Sequence, residues 1–270
     1  MIAGIDYSGR IAAVGGGVGK FQVGDLVFGR LDGPSSRGTL GQFVKPSLTG
    51  CVALPEGVDP DVAATLGTSG GCAYQCIVGR AKAGDKVFIN GGSGGLGTFL
   101  IQIAKTIGCE VTTTCSTANV EFCKSLGADE VIDYKTQDVI AVLKSKGLVF
   151  NLCVDNAGEP TSLYPESEHF LLPGALFLQV GGPMSFGSIR TIFARRFLPG
   201  FITGGKRPFE FYHMHNDAEH YAQLAQWVKE GKVKPVIDSV LEFKDAPKAY
   251  EKLRSVRTRG KIVVHVTDRD

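Results

Sequence analysis

The sequence predicts an α/β protein with a doubly wound parallel sheet and a second, smaller, β-rich domain. Three observations support this prediction. The chain has 270 residues, enough for one large α/β core and a smaller companion. Short apolar strands alternate with helical patterns along its middle, which is typical of a parallel sheet with crossover helices. Glycine occurs 36 times, well above its average share, so many turns and close backbone approaches are expected.

Residues 1–60 predict a small all-β segment. Short β-like runs are expected at 10–14, 26–28 and 42–44, separated by glycine-rich stretches. From Asp61 the apolar residues recur at helical spacing on either side of a glycine break. The α/β part of the chain therefore begins near Asp61.

Strands and helices alternate regularly after that point. Strands are expected at 86–90, 110–114, 131–133, 149–154 and 175–180, with helices at 98–107 and 120–126. The tail adds a helix at 218–230, a strand at 235–243, a helix at 246–256 and a last strand at 261–266. This order predicts a doubly wound parallel sheet.

Charge and cysteine content exclude several classes of protein. The net charge is +2 and is spread along the chain, so no nucleic-acid partner is predicted. The seven cysteines are odd in number and contain no CxxC pair, which fits neither a disulfide framework nor a structural zinc lobe. The sequence has no apolar run long enough to span a membrane and no secretory signal at its start. We expect a cytoplasmic protein, or a mitochondrial one if a longer N-terminus precedes Met1.

The strongest functional pattern is a glycine-rich segment between a predicted strand and a predicted helix. Gly92, Gly94 and Gly97 in INGGSGGLG match the spacing GxGxxG. In that context glycines allow a tight turn and bring backbone N–H groups to a pyrophosphate at a helix N-terminus. A turn without a ligand would have the same spacing, but the strand before, the helix after and the second strand favour a dinucleotide.

The end of the second strand indicates which dinucleotide binds. NAD-dependent proteins usually carry Asp or Glu there for the ribose hydroxyls, whereas this strand ends TTTCSTAN. Ser116 can donate to a 2′-phosphate, so NADPH is favoured over NADH. The alternative is that Ser116 and Thr117 only cap the following helix. Cations that folding could bring near the phosphate are Lys124, Lys135, Arg257 and Arg259.

Six segments carry a family resemblance that covers essentially the whole chain: GIDYSGRIAAVGGGVGKFQVGDLVFG, LPEGVDPDVAATLGTSGGCAYQCI, INGGSGGLG, SLGADEVIDY, GKVKPVID and RGKIVV. Together they resemble the medium-chain dehydrogenase/reductase superfamily, in its zinc-free quinone-oxidoreductase branch. The resemblance implies a GroES-like catalytic domain packed on a Rossmann domain, with NADPH in the cleft. It divides the chain into a partial GroES-like domain at 1–60, a Rossmann NADPH-binding domain at 61–215, and a C-terminal return to the catalytic domain and domain interface at 216–270.

The same resemblance implies the cofactor contacts, segment by segment. The diphosphate would lie on Ser93, Gly94, Gly95 and Leu96, and the 2′-phosphate on Ser116 and Tyr134. The nicotinamide side would meet Asp155, Asn156, Val180, Gly181 and Gly182, with Arg257, Thr258 and Arg259 closing over the cofactor. The catalytic residue is not assigned.

Three features depart from the family. Gly4-Ile5-Asp6 stands where the zinc-dependent branch has Gly-His-Glu, and the four-cysteine lobe is missing, so no metal is expected. Cys72-Ala73 replaces the usual Thr-Ala pair beneath the nicotinamide, and a thiol is a weaker hydrogen-bonding group. Relatives begin well before Met1, so the GroES-like domain is expected to be incomplete.

The segment FEFYHMH suggests a contact between subunits. His213 and His215 fall on one side of a strand and could be a metal pair, but a strand with two useful faces is the simpler interpretation. In the resembling family this region joins sheets across a dimer, so we expect a homodimer.

The predicted function is hydride transfer from NADPH to a small quinone or to the β-carbon of an α,β-unsaturated carbonyl. This step depends on positioning and electrostatics more than on a strong acid, in agreement with the missing acid/base motif. Two alternatives stay open: a trans-acting enoyl reductase for acyl thioesters, and a non-catalytic NADPH-binding sensor or interaction protein.

Overall fold

The computed structural model describes residues 2–33, 38–182, 195, 205–255 and 257–267. The chain divides into two compact units, the first formed by Met1–Gln75 with Met214–Asp270 and the second by Cys76–His213. This division assigns residues 61–75 to the first unit. The GroES-like and Rossmann limits inferred from the sequence stay predictions.

The described elements follow one another along the chain with short connections. The strands are β1 (Asp6–Arg10), β2 (Leu26–Arg30), β3 (Cys51–Ala53), β4 (Lys86–Asn90), β5 (Glu110–Cys115), β6 (Glu130–Asp133), β7 (Phe150–Asp155), β8 (Leu171–Gln179), β9 (Phe209–Phe211), β10 (Ile237–Glu242) and β11 (Lys261–His265). The α-helices are α1 (Pro60–Ala64), α2 (Gly71–Ile77), α3 (Gly97–Thr106), α4 (Val120–Ser125), α5 (Val139–Lys146), α6 (Leu163–Glu166), α7 (Ala218–Lys229) and α8 (Ala246–Arg254). A π-helical turn, Leu66–Gly70, joins α1 to α2.

The second unit is built on a six-stranded parallel sheet. Its strand order is β6-β5-β4-β7-β8-β9, and every neighbouring pair is parallel. The chain runs outward from β4 to β6 and then crosses back to form β7 on the other side of β4. The predicted doubly wound sheet is therefore confirmed, and its direction of winding reverses between β4 and β7, where such sheets bind ligands at the carboxyl ends of the strands.

Apolar side chains cover both faces of this sheet. On one face the rings of Phe88, Phe150 and Phe170 lie with centroids 5.8 to 6.2 Å apart. Val87 and Ile89 alternate with Phe88 along β4 and so point to the opposite face, where they are fully buried. Each such side chain stabilises the fold by about 1.5–3 kcal/mol, so the sheet is a rigid base for its terminal loops.

The first unit is the smaller, β-rich part that the sequence predicts. An antiparallel sheet has the order β1-β2-β3, and β10 pairs in parallel with β11. Helix α7 belongs to this unit and packs on β2 through Tyr221, whose ring lies edge-on to that of Phe28 with the ring centroids 6.4 Å apart. Asp59 caps α1 by accepting a hydrogen bond from the backbone N–H of Asp61 at 2.7 Å, which explains why helical structure starts here.

Two predicted strands are wrong. The strand predicted at 10–14 is wrong because the pairing of β1 with β2 ends at Arg10, opposite Leu26, and residues 11–14 lie beyond it. Residues 42–44 form no strand, and Phe43 is 77% exposed; β2 pairs instead with β3, which the sequence analysis missed. The predicted strand around 209–214 is also shorter, because regular structure ends at Phe211. No helix among the described residues is long and apolar enough to cross a membrane.

Candidate functional site

Buried polar residues mark the carboxyl edge of the six-stranded sheet. Asn90, Asp155 and Gln179 are the last residues of β4, β7 and β8, and Thr114 is the last but one of β5. All four are less than a tenth exposed. Polar groups are costly to bury unless they form hydrogen bonds, so their partners determine the shape of this edge.

A chain of hydrogen bonds connects three of these strand ends. The N–H of Gly91 donates to Thr114 Oγ1 at 2.9 Å, and that hydroxyl donates to Asn90 Oδ1 at 2.7 Å. Asn90 Nδ2 then donates to Asp155 Oδ1 at 2.8 Å and to the carbonyl of Glu159 at 2.7 Å. The start of the glycine-rich loop and the loop after β7 are therefore held together.

The glycine-rich loop combines tight packing with open space. A Cβ atom on Gly97 would lie 2.1 Å from the carbonyl oxygen of Gly91, whereas a Cβ on Gly94 would meet no atom of the described part of the chain within 4 Å. Helix α3 begins at Gly97, and its N-cap residue is Leu96, whose side chain cannot accept a hydrogen bond. The N–H groups of Thr98 and Phe99 donate to the carbonyls of Gly94 and Leu96 at 3.0 and 3.1 Å, so an anion beside Gly94 would meet the positive end of α3 and the backbone of the loop before it.

Ser93 and Ser116 are brought together by a residue that the sequence analysis missed. Asn119 Nδ2 lies 3.2 Å from Ser93 Oγ and 3.2 Å from Ser116 Oγ. Ser116 precedes the short helical turn Thr117–Asn119, but its side chain makes no capping hydrogen bond there. Among the described contacts, the capping alternative for Ser116 is therefore not observed.

Tyr134 lies beside the end of β5. Its N–H donates to the carbonyl of Cys115 at 3.1 Å, its side chain is 51% exposed, and the Nζ atom of Lys135 lies 5.4 Å from its ring centroid. Of the other predicted cations, Lys124 is paired with Glu121 at 2.9 Å.

A carboxylate does occur near this strand end, on the neighbouring strand. Asp133 of β6 lies opposite Cys115. Hydrogen bonds from Thr117 and from the N–H of Lys135 lower the pKa of Asp133. The Asp133 carboxylate therefore accepts hydrogen bonds from the turn that follows β6 and from the start of the segment after β5.

The predicted nicotinamide-side residues also come together. Val180 N–H donates to the carbonyl of Asp155 at 2.8 Å, and Asn156 Nδ2 donates to the carbonyl of Gly91 at 3.1 Å. A Cβ on Gly181 would lie 2.4 Å from the carbonyl oxygen of Asn156, so the two turns touch directly. Gly182 follows with a φ of +138°.

The carboxylate of Asp155 points into its own loop. It accepts hydrogen bonds from the N–H groups of Ala157 and Gly158 at 3.2 and 2.8 Å, in addition to the one from Asn90. Burial raises the pKa of Asp155, and these hydrogen bonds offset only part of that effect. Its side chain therefore supports the loop, and its contact with a cofactor stays a prediction.

Other predicted site residues belong to the first unit. Arg257, Thr258 and Arg259 precede β11, and the N–H of Arg259 donates to Asp238 Oδ1 at 3.1 Å. Their predicted closure over a cofactor stays a prediction. Cys72 of α2 is buried. The residues that sequence reasoning missed are Asn90, Thr114, Asn119 and Gln179. For Asn90 and Gln179, a polar residue at the end of a buried apolar strand was the available signal.

Known proteins resemble this chain over nearly its whole length. Residues 126–264 match the family model described as zinc-binding dehydrogenase. The chain is 48% identical over 275 residues to the trans-enoyl reductase pgmF of Aspergillus terreus, covering 98% of this chain and 77% of that protein. It is 30% identical to the mitochondrial NAD(P)H oxidoreductase RTN4IP1 of Danio rerio, covering 99% and 73%. A quinone oxidoreductase structure from Coxiella burnetii aligns with a TM-score of 0.82 at 26% identity, covering 97% and 78%.

These matches agree with the parallel sheet and with the glycine-rich loop that precedes α3. The family model spans over half of the chain, and the fungal relative aligns with nearly all of it. The predicted resemblance is thereby confirmed. The chain belongs to the medium-chain dehydrogenase/reductase superfamily, in its zinc-free branch.

Proposed function

We propose that this chain is an NADPH-dependent reductase that transfers a hydride to an α,β-unsaturated carbonyl or to a quinone. The observation that carries the proposal is the convergence of the glycine-rich loop, Ser116 and Tyr134 at the carboxyl edge of the parallel sheet. The names of two relatives, an NAD(P)H oxidoreductase and a trans-enoyl reductase, support the same class of reaction.

The residues at this edge fit a dinucleotide phosphate. Gly94 leaves open space next to the start of α3, so the backbone from Ser93 to Leu96 would bind the diphosphate. Ser116 and Tyr134 would hold the 2′-phosphate, with Lys135 adding positive charge. NADPH supplies the hydride when it is bound.

The contribution of the chain is mainly one of positioning. The hydrogen bonds from Gly91 through Thr114 and Asn90 to Asp155 hold the glycine-rich loop after β4 and the loop after β7 in one arrangement. Preorganised loops favour hydride transfer because small errors in alignment slow it strongly. Asn156, Val180 and Gly182 would form the wall on the nicotinamide side.

The second candidate is a trans-acting enoyl reductase for acyl thioesters. It is favoured by the 48% identity to a trans-enoyl reductase. The two candidates share the cofactor site and differ in the acceptor, since a thioester carries its enoyl group on a long acyl carrier arm.

Steady-state NADPH oxidation with a crotonyl thioester, with a small enone that lacks the thioester arm and with phenanthrenequinone separates the candidates. A kcat/KM for the thioester well above that for both other acceptors supports the enoyl reductase, and a higher value for the enone or the quinone supports the leading proposal. Tight NADPH binding without turnover of any of the three acceptors would overturn both and support a non-catalytic binding protein.

We also propose that hydride transfer proceeds without zinc and that the chain forms a homodimer. The first proposal rests on Gly4-Ile5-Asp6 in place of Gly-His-Glu. Activity unchanged by EDTA treatment would support it, and activity restored only by added Zn²⁺ would contradict it. The second rests on β9, which forms one edge of the parallel sheet.

A further inference from the structure

Three side chains with metal-binding atoms meet in the first unit. His215, Asp217 and His220 each offer one ligand atom, and these atoms all lie within 4.8 Å of one another. His215 is exposed and the other two are half-buried. Two imidazole nitrogens and one carboxylate oxygen form a donor set that suits zinc and similar divalent ions.

The start of α7 brings the three residues together. Asp217 is the N-cap of this helix, and its Oδ1 accepts hydrogen bonds from the N–H groups of Glu219 and His220 at 2.9 and 3.2 Å. Its other oxygen, Oδ2, lies 3.6 Å from His220 Nδ1. Capping explains why an aspartate stands here, but it does not explain two imidazoles beside the carboxylate.

Neighbouring side chains hold the cluster in position. Gln75 is buried, and its Nε2 donates to the carbonyl of His215 at 3.0 Å and lies 3.1 Å from His220 Nδ1. The ring of Tyr74 lies 4.8 Å from the ring of His220 at an angle of 32°. These contacts restrain the backbone of His215 and the ring of His220. An amide N–H can only donate, so the hydrogen bond from Gln75 must open if His220 Nδ1 is the nitrogen that binds the ion.

We propose that His215, Asp217 and His220 bind a divalent transition-metal ion of the zinc class. Tetrahedral zinc needs ligand atoms about 3.4 Å apart, so the cluster must contract slightly. The exposed side chain of His215 can rotate to close it, while water would complete the coordination. The positive end of α7 opposes a cation, and the charge of Asp217 offsets this effect. These three residues are different from those proposed for hydride transfer, and metal binding here does not depend on that reaction.

The single tryptophan of the chain gives a direct readout. Trp227 is the only tryptophan in the sequence; its ring lies 5.4 Å from that of Tyr74, which packs on His220. Trp227 also follows His220 by two turns of α7, about 10 Å along the helix axis. A paramagnetic ion such as Co²⁺ bound at His220 would quench its fluorescence.

The experiment titrates Co²⁺ into the EDTA-treated full chain and then adds Zn²⁺. We expect saturable quenching with one Co²⁺ per chain, reversed by Zn²⁺. His215→Gln and His220→Gln should each raise the Co²⁺ concentration for half-quenching at least about tenfold. His213→Gln is the matched control, because it removes a nearby imidazole outside the cluster, and it should leave the titration unchanged.

Two results would overturn the inference. Quenching that does not saturate would mean that no site exists. A loss in His213→Gln as large as in the other two variants would mean nonspecific binding to surface imidazoles. His215 is exposed, so its variant tests the site even if His220→Gln disturbs the contact with Gln75; circular dichroism checks the fold of both.

Discussion

Gly94 and Gly97 are three residues apart, yet they meet different requirements. Gly97 is needed for packing against the carbonyl of Gly91, while Gly94 borders open space. Both were predicted because the strand, the loop and the helix are adjacent in sequence. Asn119 and Asn90 were missed because their partners are 26 and 65 residues away, so only the folded sheet brings them together.

Gly94→Ala should separate cofactor binding from folding. The added methyl group meets nothing within 4 Å among the described residues, so the melting temperature should not change. The methyl would occupy the space proposed for the diphosphate, and losing one charge-assisted hydrogen bond, worth about 1.5–3 kcal/mol, should weaken NADPH binding about tenfold or more. Calorimetry measures this. Gly9→Ala, at another unobstructed glycine on β1, should leave binding unchanged; unaltered affinity in Gly94→Ala would contradict the site.

Ser116→Asp should weaken NADPH much more than NADH. The new carboxylate would face the 2′-phosphate, which NADH lacks, so the expected loss for NADPH is about tenfold or more. Fluorescence titration with both nucleotides measures the ratio. Ser125→Asp adds the same charge at an exposed position of α4 and should not alter the ratio. Equal losses for both nucleotides would exclude Ser116 from the phosphate site.

The elements of the second unit were most predictable where a strand buries a continuous apolar run, as β4 does at 87–89 and β7 at 152–154. β4 was predicted with its observed bounds, and α3 to within one residue at each end. Helix α5 was missed because Val139, Ile140 and Val142 are β-branched residues, which favour strands, and because it depends on a cap in which Asp138 accepts from Ala141 N–H at 3.1 Å. The wrong strand at 42–44 shows the converse: β propensity produces no strand without a neighbouring strand for hydrogen bonding.

Asp155, which accepts a hydrogen bond from Asn90 and so links the ends of β7 and β4, should make the stability of the fold depend on pH. Burial raises the pKa of Asp155 in the folded state, so the native chain holds this proton at pH values where the unfolded chain has lost it. Its contribution is therefore fully present below the unfolded pKa, about 3.9, and is lost as the pH rises through the folded pKa.

Asp155→Asn removes this titration while keeping an oxygen that can accept from Asn90. We expect the free energy of unfolding of the variant, relative to the wild type, to increase as the pH rises above about 4. Urea unfolding at several pH values measures the difference. Parallel profiles for the two proteins would show that Asp155 does not titrate differently in the folded state.

At the scale of the whole molecule, β9 is the terminal strand of the parallel sheet in the part of the chain that the structure describes. β9 pairs with β8 and ends the strand order, and Phe211 on it is 38% exposed. The sequence predicted this segment as an interface from its alternation, but the pattern did not show that regular structure stops at Phe211. An exposed edge of this kind is a template for pairing, and two identical edges related by a twofold axis form a closed dimer.

Phe211→Lys should therefore weaken self-association. Phe211 is 38% exposed, so the dimer can bury only that part of each of its two copies, about 1.1–2.3 kcal/mol in total, and losing it corresponds to an increase of about seven- to fiftyfold in the dimer Kd. The two introduced charges would also face each other across the twofold axis and add repulsion. Sedimentation velocity over a range of protein concentrations measures the Kd. Val240→Lys makes the same change at another exposed apolar strand residue, on β10 in the first unit, and should leave the Kd unchanged. A wild-type chain that sediments as a monomer at high micromolar concentration, or a Phe211→Lys variant that dimerises as well as the wild type, would exclude β9 as the seam.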